Sequence, residues 1–172
     1  VAAVGHDAEL KGANKVVEHW RPGMPVVVQV TRLGAGHKGP RVTARPTLPG
    51  RNVVLCPDGE GVYVSRKLAG QARAYVKAVG ATVVPGDCAL IMRTEAAGVS
   101  KEVLEMDIRS LADDWDTVRE RARAAVEAAG LQGRSPFPRR LLDAATVEQI
   151  LVRDLFGERV ARLTIDSMSS YE

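Results

Sequence analysis

The sequence predicts an α+β chain, and three observations carry that prediction. Between residues 24 and 66, short β-branched runs alternate with turns rich in Gly and Pro, as strands and hairpins do. From residue 67, and again from 101, the apolar residues change to helical spacing. Past a Gly/Ser/Pro-rich stretch near 131–140, a shorter strand–helix–strand rhythm takes over. At 172 residues the chain has room for one ordinary domain or two small ones.

Residues 1–15, "VAAVGHDAELKGANK", have no period and read as a loop or frayed end. "MPVVVQVTRL" (24–33) reads as a strand, "GAGHKGP" as a turn, and "RVTARPTL" (41–48) as the return strand of a hairpin. Pro46 places the end of that strand at an edge or a bend. "NVVLCP" and "GVYVSRKL" are two further strands around the turn "PDGEG". Over 67–79, Leu68, Ala72, Tyr75, Val76 and Val79 share one helical face, with Gly80 as a natural stop.

"CALIMRT" returns to a strand. Ser100 then caps a helix expected over 101–129, ended by Gly130. Its stripe is Leu104, Ile108, Leu111, Trp115, Val118, Ala122, Ala125 and Ala129. A helix of that length is roughly 43 Å long. It is either a simple amphipathic core helix or one that packs across more than one unit or chain. After the linker "LQGRSPFPRR", "RLLDAA" reads as a strand, "TVEQILVRDLFG" as a short helix and "RVARLTIDS" as a strand. The change of rhythm sets a domain boundary near residue 137.

With 45% hydrophobic and 26% charged residues the composition is globular rather than disordered. No apolar run approaches the ~18 residues of a membrane span, and the N-terminus has no basic-then-apolar leader. Cys56 and Cys88 lie far apart and outside any C-x-x-C pair. They read as reduced thiols of a cytoplasmic protein rather than zinc ligands. His6, His19 and His37 have no metal-site spacing.

The net charge of +3 is unevenly placed. Residues 1–30 are balanced. Residues 31–77 hold nine Lys/Arg against Asp58 and Glu60, and residues 78–172 hold twelve against sixteen acidic residues. A basic middle segment fits either an anionic partner such as nucleic acid or a solvated basic face. No G-x-S-x-G, Walker A, H-E-x-x-H or paired-Cys pattern occurs. "GAGHKG" lacks the Walker spacing and leads into a strand, so it is not a phosphate loop. The acidic residues, as in "ADDWD", sit mostly on the solvent face of the long helix and do not form a two-metal nuclease cluster. The residues alone therefore favour a binding module over a complete enzyme.

The candidate site lies in "DCALIMRTEAAGVSKE" (87–102), where a buried-looking strand delivers Arg93 and Thr94 side by side into a Gly-containing loop. Arginine offers a fixed fork of donors for phosphate oxygens. A threonine hydroxyl with neighbouring backbone N–H groups can complete a ring of donors. The plainer reading is a surface arginine and a turn-forming threonine.

Three segments in order resemble the ribonuclease E/G family of bacterial endoribonucleases. The first is "RPGMPVVVQVTRLGAGHKGPRVTARPTLPGRNVVLCPDGEGVYVSRKL", with its V-V-Q-V strand, H-K-G turn, L-x-G-x-x-x-V-L-x-P run and S-R-K. The second is "IMRTEAAGVSKEVLEMDIRSLADDWDTV", with R-T, a Gly loop and D-x-x-x-L-x-x-x-W. The third is "VEQILVRDLFGERVARLTIDS". Together they cover roughly residues 17–172. The resemblance implies part of an S1-like OB-type β-barrel over 1–45, an α+β 5′-sensor domain over 46–136, and a βαβ piece of an RNase H-like subdomain over 137–172. It implies a partial chain, consistent with the start at Val1 and the absence of the family's C-P-x-C zinc element.

Carried over residue by residue, the resemblance makes Arg93 and Thr94 the holders of a 5′-monophosphate, with Gly50 and Val54 backing the pocket. Lys38 becomes an RNA contact of the S1-type part. Glycine at position 50 would let backbone approach the ligand closely. The implied partner is single-stranded RNA bearing a 5′-monophosphate, and the implied full-length protein is a cytoplasmic homo-oligomer. The implied cofactor of that protein is Mg²⁺, with ligands outside this chain, and a structural Zn²⁺ would also lie outside it. This chain alone is then expected not to cleave RNA. A stand-alone RNA-binding adaptor that never cleaves is the competing reading.

Overall fold

The computed structural model describes residues 25–132, 138–155, 162 and 164. The expected loop over 1–15 and the last expected strand (159–167) lie outside these residues, apart from 162 and 164, which are not in a strand. Two compact units divide between Leu142 and Asp143.

The larger unit is α+β. Its first element is a two-stranded antiparallel hairpin, β1 (Gln29–Arg32) and β2 (Arg41–Thr43). The return strand expected over 41–48 breaks after Thr43, because the bend before Pro46 leads into a different sheet. There β3 (Leu48–Pro49), β4 (Val53–Pro57), β5 (Gly61–Val64) and β6 (Cys88–Met92) assemble in the order β3-β4-β6-β5. β6 runs antiparallel to β4 and parallel to β5. The parallel pair is joined by α1 (Gly70–Val83), a crossover such as parallel strands require. The hairpin is tied to the entrance of β3 by the Gln29 side chain, which donates to Thr47 O at 2.9 Å and accepts from Thr47 N at 3.0 Å.

α1 and α2 (Lys101–Gln132) cover one face of this sheet. Alternation along β4 sends Val53 and Leu55 inward, and register aligns them with Met92 and Leu90. These four, with Val76, Leu104 and Ile108, are almost fully buried. Each contributes about 1.5–3 kcal/mol relative to exposure.

Two expected helix ends move. Gly80 is an interior residue of α1, packed so tightly that a Cβ there would lie 2.8 Å from Val62 Cγ1 and 3.2 Å from Met92 Sδ. The glycine permits a close helix–sheet approach, and the helix ends ahead of Pro85. α2 likewise runs through Gly130 to Gln132, a length of about 48 Å. Its start is as expected: Ser100 O accepts from Leu104 N at 3.1 Å and Ser100 Oγ from Val103 N at 3.5 Å. Its stripe serves two clusters. Leu104, Ile108 and Leu111 join the sheet core, while Val118 and Ala122 pack with Leu141 and Val27, and Trp115 touches both groups.

The strand expected in "RLLDAA" does not form. Leu141 instead tucks under α2, and its carbonyl accepts from Arg121 Nη1 at 2.7 Å. In the smaller unit α3 (Val147–Leu155) starts with a reciprocal cap: Thr146 N donates to Gln149 Oε1 at 2.9 Å, and Gln149 N to Thr146 Oγ1 at 3.2 Å.

Candidate functional site

β6 ends at Met92, but extended backbone continues through Arg93, whose N–H donates to Asn52 O at 2.8 Å. The arginine therefore leaves the sheet beside the turn joining β3 to β4. Its Nη1 donates to Gly50 O at 2.8 Å, and its Nε lies 3.4 Å from Glu95 Oε2. The guanidinium is half-buried, with a side-chain exposure of 26%. A 3₁₀ turn, Thr94–Ala96, follows at once, and Thr94 Oγ1 shares a hydrogen bond with Ser65 Oγ at 3.0 Å. Ser65 is fixed in turn: its N–H donates to Met92 O at 2.9 Å, and its carbonyl accepts from Arg73 Nη1 at 3.1 Å. At this end of β6 a guanidinium thus reaches toward the β3–β4 turn, and a hydroxyl pair forms on the β5 side.

The turn that meets Arg93 is braced from behind. Gly50 N donates to Val53 O at 2.8 Å, closing the turn. Asn52, only 3% exposed, gives both its backbone N–H and its Nδ2 to Asp107 Oδ2, each at 3.0 Å. Asn52 Oδ1 is left without a partner, the cost of aiming the amide's donors at a carboxylate. Asp107, Leu111 and Trp115 recur at i, i+4 and i+8, so they share one face of α2. A Cβ on Gly50 would lie 3.0 Å from Leu111 Cδ1 and 3.0 Å from Val53 O. A side chain at 50 would have to push Leu111 or the Val53 carbonyl aside by a few tenths of an ångström, so inward packing on α2 favours glycine there.

Of the five residues singled out in the sequence, Val54 is in this sheet, and Gly50, Arg93 and Thr94 lie just beyond the ends of its strands. Arg93 reaches Gly50 just past the sheet's end, while Thr94, next in the chain, bonds Ser65 instead. Val54 pairs with Ile91 and Pro49, and its half-buried side chain lies on the face away from the helices. Lys38 is exposed at the tip of the β1–β2 hairpin, where it exchanges backbone hydrogen bonds with Ala35 at 3.0 and 3.1 Å. It lies in the loop that joins β1 to β2, away from the four-stranded sheet. Ser65, Asn52, Glu95 and Asp107 had no assigned role in the sequence. Ser65 and Asp107 carried a signal, being the serine of S-R-K and the aspartate of D-x-x-x-L-x-x-x-W.

Burial pushes the thiol pKa of Cys56 and Cys88 above the usual range, so both stay protonated near neutrality. Both cysteines are free. Among the described residues no three His, Cys, Asp or Glu side chains gather as metal ligands, and no helix is long and apolar enough to cross a membrane.

Comparison with known proteins bears on this arrangement. Residues 47–172 match the model of the ribonuclease E/G family. The chain is 34% identical over 156 residues to ribonuclease E of Nostoc sp., covering 90% of this chain and 21% of that protein. It is 35% identical over 154 residues to a chloroplastic ribonuclease E/G-like protein of Arabidopsis thaliana, covering 88% and 15% respectively. It is 32% identical over 148 residues to ribonuclease G of Haemophilus influenzae, covering 86% and 28%. The chain spans between about a seventh and about a quarter of these relatives. The family match takes in the β3–β4 turn, Arg93–Thr94 and the bracing face of α2, and the chain belongs to the ribonuclease E/G family.

Proposed function

We propose that this chain is the RNA-binding, 5′-monophosphate-sensing portion of an endoribonuclease that cleaves single-stranded RNA in cytoplasmic RNA processing and decay. The observation that carries the reading is the half-buried Arg93 guanidinium, oriented by Gly50 O at the end of a strand whose next residue, Thr94, shares a hydrogen bond with Ser65. A terminal phosphate has three oxygens and up to two negative charges. A guanidinium fork and neighbouring hydroxyls match it in number and in sign. An internal phosphodiester offers one charge and fewer free oxygens, so such a set of donors favours a chain end.

In this reading the β1–β2 hairpin is a remnant of an S1-type barrel. Val30 and Val42, paired across it, are 41% and 46% exposed, an apolar pair that further barrel strands could cover. Residues 46–136 form the sensor domain, and the unit holding α3 opens the RNase H-like subdomain. Cleavage would belong to residues outside this chain, with Mg²⁺ held there, in a homo-oligomer whose zinc link is also outside. Lys38, at the hairpin tip, would contact the RNA backbone.

The test compares oligonucleotides of one sequence bearing a 5′-monophosphate or a 5′-hydroxyl. Charge-assisted contacts contribute about 1.5–3 kcal/mol each. Arg93→Gln therefore weakens binding of the monophosphorylated RNA roughly ten- to a hundredfold and barely changes the hydroxyl RNA. Thr94→Val acts in the same direction but less. Equal weakening of the two RNAs would make Arg93 a general backbone contact and end the sensor reading.

A further inference from the structure

The four-stranded sheet has a second face, turned away from α1 and α2. Strand register puts Val54, Ile91 and Tyr63 in one row across β4, β6 and β5 on that face. Val54 is half-buried, Ile91 is 39% exposed and Tyr63 is 60% exposed. The row is bounded on both sides along the strands. At one end the 58–60 turn folds over, bringing Gly59 so close to Ala89 that a Cβ would lie 2.8 Å from Ala89 Cβ. At the other end stand Arg93 and Ser65, each two residues beyond its neighbour in the row and so on the same face, about 6.7 Å further along the strand. The charges follow the same axis. Arg66 and Lys67 are exposed beyond Ser65, while Asp58, Glu60 and Asp87 are exposed at the covered end.

We infer that this row is a shelf for the first bases of an RNA whose 5′ end is held at Arg93, and that Tyr63 stacks on the second base. The inference rests on the phosphate reading above. Its charge pattern selects nucleic acid: phosphates are attracted to the basic end and repelled from the acidic one, and the apolar floor between them suits bases. Val54 and Ile91 lie directly in line with Asn52 and Arg93, under the terminal nucleotide. Tyr63 is one strand further out, about 4.8 Å beyond β6, where the next base arrives. An exposed tyrosine ring is a sequence-tolerant stacking platform, so the shelf adds affinity near the 5′ end with little preference for base identity.

The experiment uses the chain with a short single-stranded RNA carrying 2-aminopurine at position 2 or, as a control, at position 6. The RNA bears a 5′-monophosphate or a 5′-hydroxyl. Stacking on Tyr63 quenches the position-2 probe on binding and leaves position 6 unchanged. Tyr63→Ala abolishes that quench and weakens the monophosphorylated RNA roughly five- to a hundredfold, while Tyr63→Phe keeps both. The preference for a 5′-monophosphate survives in Tyr63→Ala, because Arg93 is untouched. A Tyr63→Ala protein that is folded by circular dichroism and binds and quenches like the parent overturns the shelf. So does a dimer seen by sedimentation equilibrium that Tyr63→Ala dissociates, since the face is then covered by a second copy. If the parent binds both RNA ends equally, the phosphate reading has failed on its own. Equal quenching of the position-2 and position-6 probes then removes Tyr63 from any 5′ site.

Discussion

Arg93 meets any ligand with its guanidinium already engaged. Gly50 O holds one side, and the Glu95 carboxylate, 46% exposed, holds Nε. The carbonyl orients the group without cancelling its charge. The carboxylate does both, and an arriving phosphate must displace it. An exposed pair of this kind is worth about 0–1 kcal/mol, so it is a weak competitor. Removing its charge also removes repulsion against the phosphate. Glu95→Gln therefore strengthens binding of 5′-monophosphorylated RNA about two- to fivefold at low salt, with less effect at high salt and little on 5′-hydroxyl RNA. Fluorescence anisotropy with both RNAs checks this, and weakened binding would show that Glu95 helps to position Arg93. At this scale the sequence is legible only in part. Arg93–Thr94 stands out because an apolar strand ends in two phosphate-compatible groups. Ser65 stands out only as the serine of S-R-K, with no role attached to it, and Glu95 not at all. One reaches the site from twenty-nine positions away, and the other is a loop acid like any other.

α2 shows what one long helix does for a turn it never enters. Its apolar spacing made the helix and its stripe legible, because a period of three and four over eight turns has one physical solution. Asp107 was not legible from that period, since a carboxylate on a helix is usually solvated. Here it accepts two hydrogen bonds from Asn52 on the β3–β4 turn, fifty-five residues away in sequence. The helix ends were misplaced for a related reason. Glycine marks a stop only where no neighbour needs the space, and at Gly80 the sheet needs it. Asp107→Ala leaves two buried donors unpaired, at about 1–3 kcal/mol each. It is expected to destabilise the chain by roughly 2–4 kcal/mol in urea unfolding and to erase the preference for a 5′-monophosphate while the protein is still folded. Asp107→Asn keeps an acceptor in place and loses only the charge, so it costs roughly 1 kcal/mol and retains most of the preference. An Asp107→Ala protein that discriminates the two RNA ends like its parent would uncouple the brace from the site.

Over the whole chain the net charge of +3 conceals a separation that folding preserves. Seven of the nine basic residues of 31–77 lie on the hairpin (Arg32, Lys38 and Arg41), just past Ser65 (Arg66 and Lys67), and on α1 (Arg73 and Lys77), and all seven are exposed. Acidic residues dominate from residue 78 onward, largely along α2. RNA contacts are thus expected along the strands and not along the long helix. Each single-strand phosphate neutralised adds about 0.7 to the slope of log K against log salt. Lys38→Ala is accordingly expected to lower the slope by about 0.7 and to weaken 5′-monophosphate and 5′-hydroxyl RNA by the same factor, unlike Arg93→Gln. The two substitutions separate two kinds of recognition within one chain. If the proposed function holds, the hairpin reads a polyanion and the sheet end reads a terminus. A titration over several salt concentrations with each variant measures both effects. A slope near zero in the unmodified chain would make the basic face a solvated surface, and an unchanged slope in Lys38→Ala would remove the hairpin tip from the RNA path.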